Sequence, residues 1–263
     1  MRIETSTEPG NPDRPNEDFL AVALPAGNSG GSLVLLDGVT PPSDGAGCVH
    51  SVPWYVAALG GTMIELSVSR PDLALADCLA IAIERTAELH VHTCDLSHRL
   101  TPQATAVAVR WNADTVDHLV LSDSVLLLEG ADGVVRPVLD DRLDRLRALG
   151  PITNAQRNAD GGFFTAAADP GVTARAVTGS SPRADVRALA ALTDGATRLV
   201  DGFGDDDWAD TFALLRKQGP EELIRRVRAA ESADPDGARF PRWKTHDDAT
   251  AVLAELGQKP SWG

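Results

Sequence analysis

The stretch Leu33-Val34-Leu35-Leu36-Asp37-Gly38 sets four apolar residues against an acid and a glycine. An unbroken apolar run of this length fits a strand covered on both faces, and the Asp-Gly that ends it puts a carboxylate where the strand emerges. Gly38, lacking a Cβ, lets its own carbonyl come close to whatever Asp37 holds. The design recurs at Leu189-Ala190-Ala191-Leu192-Thr193-Asp194-Gly195, and Leu119-Val120-Leu121 runs into Ser122-Asp123-Ser124. Three strands ending in acids imply one shared cation site.

The remainder of the chain bounds what such a site can serve. With 263 residues, 43% of them hydrophobic, the chain can bury a sizeable core, and residues 1–256 read as one domain followed by a tail, 257–263. The formal net charge of -14 opposes binding to nucleic acid or to an anionic membrane surface. Met1-Arg2-Ile3-Glu4-Thr5 has no hydrophobic signal region and no apolar run reaches the length of a membrane span, so a cytoplasmic protein is expected. Cys48, Cys78 and Cys94 are odd in number, and the last two read as sharing one long helix, about 24 Å apart at the usual rise. No disulfide framework follows.

Period-2 runs predict strands over Arg2 to Thr7, Phe19 to Leu24, Gln103 to Trp111, Asp117 to Leu121, Val125 to Leu128 and Ala249 to Leu256, with weaker ones over Phe163 to Ala167 and Ala174 to Val177. Ala26 to Gly31 reads as a hairpin connection, and the strands from Gln103 to Leu128 as an antiparallel meander. Helical spacing predicts helices from Pro53 to Ser67, from a cap at Asp72 onward, over Asp140 to Leu149, over Asp207 to Lys217 with Asp205 and Asp206 at its start, and over Glu221 to Ala230. Strands and paired helices in this order argue for an α+β fold of stacked antiparallel sheets with helices outside.

A hard divalent cation such as magnesium or manganese takes oxygen ligands and keeps several waters around a few carboxylates. Glu17, Asp18, Asp37, Asp123, Asp194, Asp247 and Asp248 each stand at the edge of an expected strand. Any one of them taken singly is a turn or cap acid. The repeated placement is what makes a site of them.

Asn16-Glu17-Asp18, Leu36-Asp37-Gly38, Ala104-Thr105-Ala106, Ser122-Asp123-Ser124, Thr193-Asp194-Gly195 and Asp247-Asp248-Ala249-Thr250, in that order, resemble the metal-dependent protein phosphatase family, the type 2C class. The resemblance covers almost the whole chain. It implies a four-layer α-β-β-α sandwich, two antiparallel sheets face to face with a helix pair outside each. It further implies two manganese or magnesium ions, with a third in bacterial members. Asp37 would bridge two ions, with the Gly38 carbonyl on the second. Asp194 and Asp247 match the acids of the first ion, and Glu17 and Asp18 those that hold the second or orient its waters. Asp123 with Asp194 matches the pair for a third. A hydroxide between two cations would attack phosphorus in line, and no protein nucleophile would be needed.

The chain differs from that pattern at the mouth of the site. Arg14, matching the phosphate-gripping arginine, stands one position closer to Asn16 than the pattern has it. Val39-Thr40-Pro41-Pro42 replaces a glycine run, Ser122 stands where glycine is usual, and Asp248 where asparagine is common. Outside the pattern, His50 reads as a loop histidine or a proton donor to the leaving group. His90, Cys94 and His98, four apart, would form one helical stripe able to hold zinc, or are ordinary residues near a helix end. Asp234-Pro235-Asp236-Gly237 is a turn lacking the later ligands of a calcium loop. The expected function is a phosphomonoester hydrolase acting on phosphoserine or phosphothreonine in proteins. The alternatives are a catalytically silent regulator and an enzyme for a small phosphorylated metabolite.

Overall fold

A computed structural model describes residues 1–25, 30–41, 47–204, 206–242 and 244–257. The tip of the first hairpin, the end of the Val39-Thr40-Pro41-Pro42 stretch, Asp205 and nearly all of the tail lie outside the described residues. In chain order, β1 (Arg2–Glu8), β2 (Phe19–Ala23) and β3 (Gly31–Leu36) precede helices α1 (Val52–Ser69) and α2 (Leu75–His90). Then come β4 (Ala106–Trp111), β5 (Thr115–Leu121), β6 (Val125–Gly130), β7 (Val135–Val138) and the short helix α3 (Arg142–Leu149). The chain closes with β8 (Val177–Pro182), β9 (Val186–Leu192), α4 (Asp194–Asp201), α5 (Trp208–Gln218), α6 (Pro220–Ala233) and β10 (Ala249–Glu255).

The strands form two five-stranded sheets, ordered β1-β10-β9-β6-β7 and β2-β3-β4-β5-β8, antiparallel throughout. Alternation along β3 explains its unbroken apolar run. Leu33 and Leu35 enter the layer between the sheets with Val107, Val109, Leu126 and Val252, while Val34 and Leu36 face Leu59, Met63, Leu79 and Ile83 of α1 and α2. β9 does the same in the other sheet. Its Leu189 and Ala191 face inward, and Ala190 and Leu192 meet Phe212, Leu215, Leu223 and Val227 of α5 and α6. Three apolar layers therefore separate four layers of secondary structure, the α-β-β-α sandwich expected above.

Local signals set several element ends. The Ser51 hydroxyl accepts the Trp54 N–H at 3.4 Å to cap α1, and the Asp207 carboxylate accepts the Asp210 N–H at 2.8 Å to start α5. α2 starts later than its sequence implies. Asp72 is taken up by the Arg70 guanidinium at 2.8 and 3.0 Å and caps nothing. The helix stops at His90, so Cys94 and His98 follow it in turns and the four-residue stripe does not form.

Other departures are of longer range. β6 does not continue the β4–β5 meander: at Ser122-Asp123-Ser124 the chain crosses to the other sheet, where β6 pairs with β9 and β7. Phe163 to Ala167 makes isolated bridges only, through Phe163 and Ala166. Ala174 lies in a 3-10 turn, and the edge strand β8 begins at Val177 with Thr-Gly-Ser-Ser, a composition poor in strand formers. α4, opening on Asp194-Gly195, reads locally as a turn. No helix among the described residues is long and apolar enough to cross a membrane.

Candidate active site

The sheet ends carrying the acids open on a cleft of about 1760 Å³ whose lining includes Arg14, Glu17, Asp37, Asp123, Asp194 and Asp247. Asp37, at the end of β3, is held by its backbone. Its N–H donates to the Thr105 hydroxyl at 3.3 Å and its carbonyl accepts the Thr105 N–H at 2.9 Å. The Gly38 N–H donates to the Glu17 carbonyl at 3.1 Å. A Cβ on Gly38 would stand 2.4 Å from that carbonyl oxygen and 2.4 Å from the Val52 side chain, so only glycine fits between the Glu17 backbone and the start of α1.

Asp18 is not among the residues that line the cleft, although it lies close enough to Asp37 and Asp194 for their charges to act on one another. Its Oδ2 accepts the Thr250 hydroxyl at 2.7 Å and the Thr193 hydroxyl at 3.1 Å, while Oδ1 is buried with no partner. Glu17 accepts the Thr40 hydroxyl. Asp248 is spent on the backbone, its two oxygens accepting the N–H groups of Gly10 at 2.8 Å and Glu17 at 2.7 Å. It fixes the β1–β2 loop and stands apart from the other acids in its work.

Asp194 begins α4, and a Cβ on Gly195 would lie 2.0 Å from the Asp248 carbonyl oxygen, which sets how closely α4 approaches the entry to β10. Asp247 accepts the Lys244 ammonium at 2.5 Å and lies 3.5 Å from the Arg198 guanidinium. Asp123 takes the Ser122 hydroxyl and the Arg147 guanidinium, each at 3.2 Å. Arg14 is exposed on the cleft wall.

The acids act on one another. Burial, then the charges of Asp194, Asp18, Asp247 and Asp123, raise the Asp37 carboxyl well above the ordinary carboxylate range. Burial, reinforced by Asp247 and Asp123, lifts Asp194 to about 7. Burial lifts Asp18 to about 8 against the Thr250 hydrogen bond, with Asp248 and Asp194 adding to it. Burial also raises Glu17. Lys244 responds in the opposite sense: burial opposes its charge, but Asp247, Asp37 and Asp194 outweigh it and raise its pKa. An all-oxygen donor set of mutually repelling carboxylates, one of them with an orphaned buried oxygen, fits hard divalent cations.

Sequence reading missed part of the surroundings. The threonines of Ala104-Thr105-Ala106, Thr193-Asp194 and Asp248-Ala249-Thr250 hold Asp37 and Asp18 in place. Their signal was proximity to the acids. Arg147 and Arg157 reach the cleft from the segment after β7, and the guanidinium of Arg157 lies 5.4 Å from the centre of the Phe163 ring with its Nε buried and unpartnered. Nothing local marked either arginine. His50 is not among the cleft residues and stacks on Trp54 at 4.0 Å instead.

No protein-family model matches the chain, and no curated protein matches it in sequence. Solved structures do. The serine/threonine phosphatase Stp1 from Staphylococcus aureus is similar at a TM-score of 0.63 and 14% identity, over 97% of this chain and 95% of that one. The serine/threonine phosphatase of S. agalactiae gives 0.59 and 14%, over 96% and 98%. PppA of Pseudomonas aeruginosa, described as a regulatory component of a secretion system, gives 0.58 and 17%, over 96% of each chain. The fold is that of the type 2C-like phosphatases.

Proposed function

We propose that the protein is a manganese- or magnesium-dependent phosphomonoester hydrolase acting on phosphoserine or phosphothreonine in proteins. The observation that carries this reading is the one cleft of a type 2C-like fold lined by Asp37, Asp123, Asp194 and Asp247, with Asp18 close enough for its charge to act on Asp37. Glu17, Asp18, Asp37, Asp194, Asp247 and the Gly38 carbonyl would hold two ions, and Asp123 with Asp194 a third. Bound there, the cations would supply Lewis acidity toward a phosphoryl group and a water acidified for in-line displacement. Thr105 keeps Asp37 aimed, Thr193 and Thr250 do the same for Asp18, and Arg14 on the wall meets the incoming phosphate. An open cleft of this volume suits a phosphate carried on a polypeptide better than a small metabolite.

The test is phosphate release from an aryl phosphate and from phosphopeptides, with and without manganese, by the native protein, Asp37→Asn and Asp194→Ala. Release should depend on manganese, and each substitution should lower it by roughly 10³-fold or more while circular dichroism stays unchanged. Retained turnover in either variant would sink the assignment. Faster release from a small metabolite phosphate than from any phosphopeptide would move the substrate to that class.

A second reading, a silent member that binds a phosphoprotein as a regulator, is favoured by the ion pairs Lys244–Asp247 and Arg147–Asp123. Both place a cation of the chain itself against a candidate ligand. It requires that the native protein release no phosphate even with manganese bound.

A further inference from the structure

Cys48, His50, His90 and Cys94 converge on one point far from the acids in chemistry. Each offers a ligand atom, and the four atoms lie within 4.8 Å of one another. His50 Nδ1 is 3.6 Å from Cys48 Sγ and 3.4 Å from Cys94 Sγ, and His90 Nδ1 is 3.3 Å from Cys48 Sγ. Zinc at its usual bond lengths to sulfur and nitrogen gives a tetrahedron whose sulfur–nitrogen edges are about 3.5 Å. The three sulfur–nitrogen distances above fall within about 0.2 Å of that figure.

The surroundings are built for the same purpose. Two backbone N–H groups donate to the sulfurs at 3.4 Å, Val49 to Cys94 and His50 to Cys48, an arrangement that favours thiolates. His90, at the end of α2, is only 2% exposed. His50 is clamped against Trp54 at 4.0 Å and meets His90 edge-on at 5.7 Å. The Asp95 N–H donates to the Gly47 carbonyl at 2.7 Å and closes the same loop on the same turn. Both sulfurs are free thiols, not a disulfide.

We infer that Cys48, His50, His90 and Cys94 form a structural zinc site that staples the segment entering α1 to the C-terminal end of α2. Two thiolates and two imidazoles select a soft cation, where the oxygen donors of the cleft select a hard one, so the two centres would fill independently. Four protein ligands leave no open position, which makes the role structural. In chain order Cys48 and His50 lie between Asp37 and α1, so the staple fixes the entry to α1. This inference stands whether or not the cleft hydrolyses phosphate.

The experiment is metal analysis of the reduced full-length protein after zinc addition and desalting, paired with cobalt substitution. The native protein should keep about one zinc, and cobalt should give a thiolate charge-transfer band with the intense visible bands of tetrahedral geometry. Asp194→Ala and His98→Asn should keep both signals, which separates this site from the cleft and from the residue four beyond Cys94. Cys94→Ser should lose the zinc and the charge-transfer intensity, with a lower melting temperature that zinc no longer raises. Cobalt spectra read on the native protein keep the test valid should Cys94→Ser fail to fold. Absence of retained zinc and of any cobalt–thiolate band in the native protein would overturn the inference. So would zinc that leaves with Asp194→Ala, or a Cys48–Cys94 disulfide that reforms in place of metal binding.

Discussion

Among the described residues, Ser122 and Asn158 are the non-glycine residues with positive φ, and Ser122 is the buried one. Its φ is 69°, in the left-handed region, although it is buried and bears a side chain. The conformation is imposed by the crossing between sheets: the Ser122 N–H must reach Asp140 Oδ2 at 3.0 Å while Asp123 stays in the cleft. Glycine removes the clash of Cβ with the backbone, about 1–2 kcal/mol, and gives back about 0.4–1 kcal/mol through a freer unfolded chain. Ser122→Gly should therefore raise stability by about 0.5–1 kcal/mol, seen as a higher urea midpoint at unchanged slope. A lower midpoint would mean that the hydroxyl's bond to Asp123 outweighs the strain. The same geometry accounts for why glycine suits this position in the motif.

The loop between β1 and β2 has little apolar anchorage, and Asp248 is one of the side chains that hold it. Asp248, just before β10, binds the N–H groups of Gly10 and Glu17 and so brings Glu17 and Asp18 to the end of another strand. Losing two charge-assisted hydrogen bonds at a half-buried position should make Asp248→Ala about 2 kcal/mol less stable by urea unfolding. Faster amide exchange at Gly10 and Glu17 should accompany the loss. Exchange unchanged at both amides would show that the loop is held by other means. β1 and β10 themselves pair along seven residues, so the sheet does not depend on this contact.

Across the whole molecule the acids set a pH dependence. Asp37, Asp18 and Asp194 have native pKa values above their unfolded values, so the folded state without metal binds more protons than the unfolded one. Their contribution is fully present below the unfolded carboxylate range and is lost as pH rises through about 7 and about 8. Without added manganese, the melting temperature should fall from roughly pH 4 upward and level off above roughly pH 8. Manganese should raise it more at the upper end of that window, because metal binding displaces those protons. A flat profile, or a larger manganese effect at the lower end, would contradict the linkage.

What the sequence determined by itself was whatever a few neighbouring residues encode. The doubly covered strands followed from unbroken apolar runs, and Leu33 to Leu36 and Leu189 to Leu192 divide their faces between two cores as such runs require. The acids at strand ends followed from Asp-Gly and Ser-Asp-Ser directly after those runs, and the cleft gathers them. Only the tertiary structure decided which sheet β6 joins, since a reversal within one sheet and a crossing to the other use the same Ser-Asp-Ser. It alone showed that Asp248 serves the backbone and that Arg147 and Arg157 reach the cleft. The Cys48–His50 pair meets His90 and Cys94 across more than forty residues of chain. A stripe at spacing four pointed to Cys94 and His98 on one helix, but α2 ends at His90, and the turn that follows sends Cys94 back toward α1. Contacts of that kind depend on how packed layers close on one another, and no local pattern carries that information.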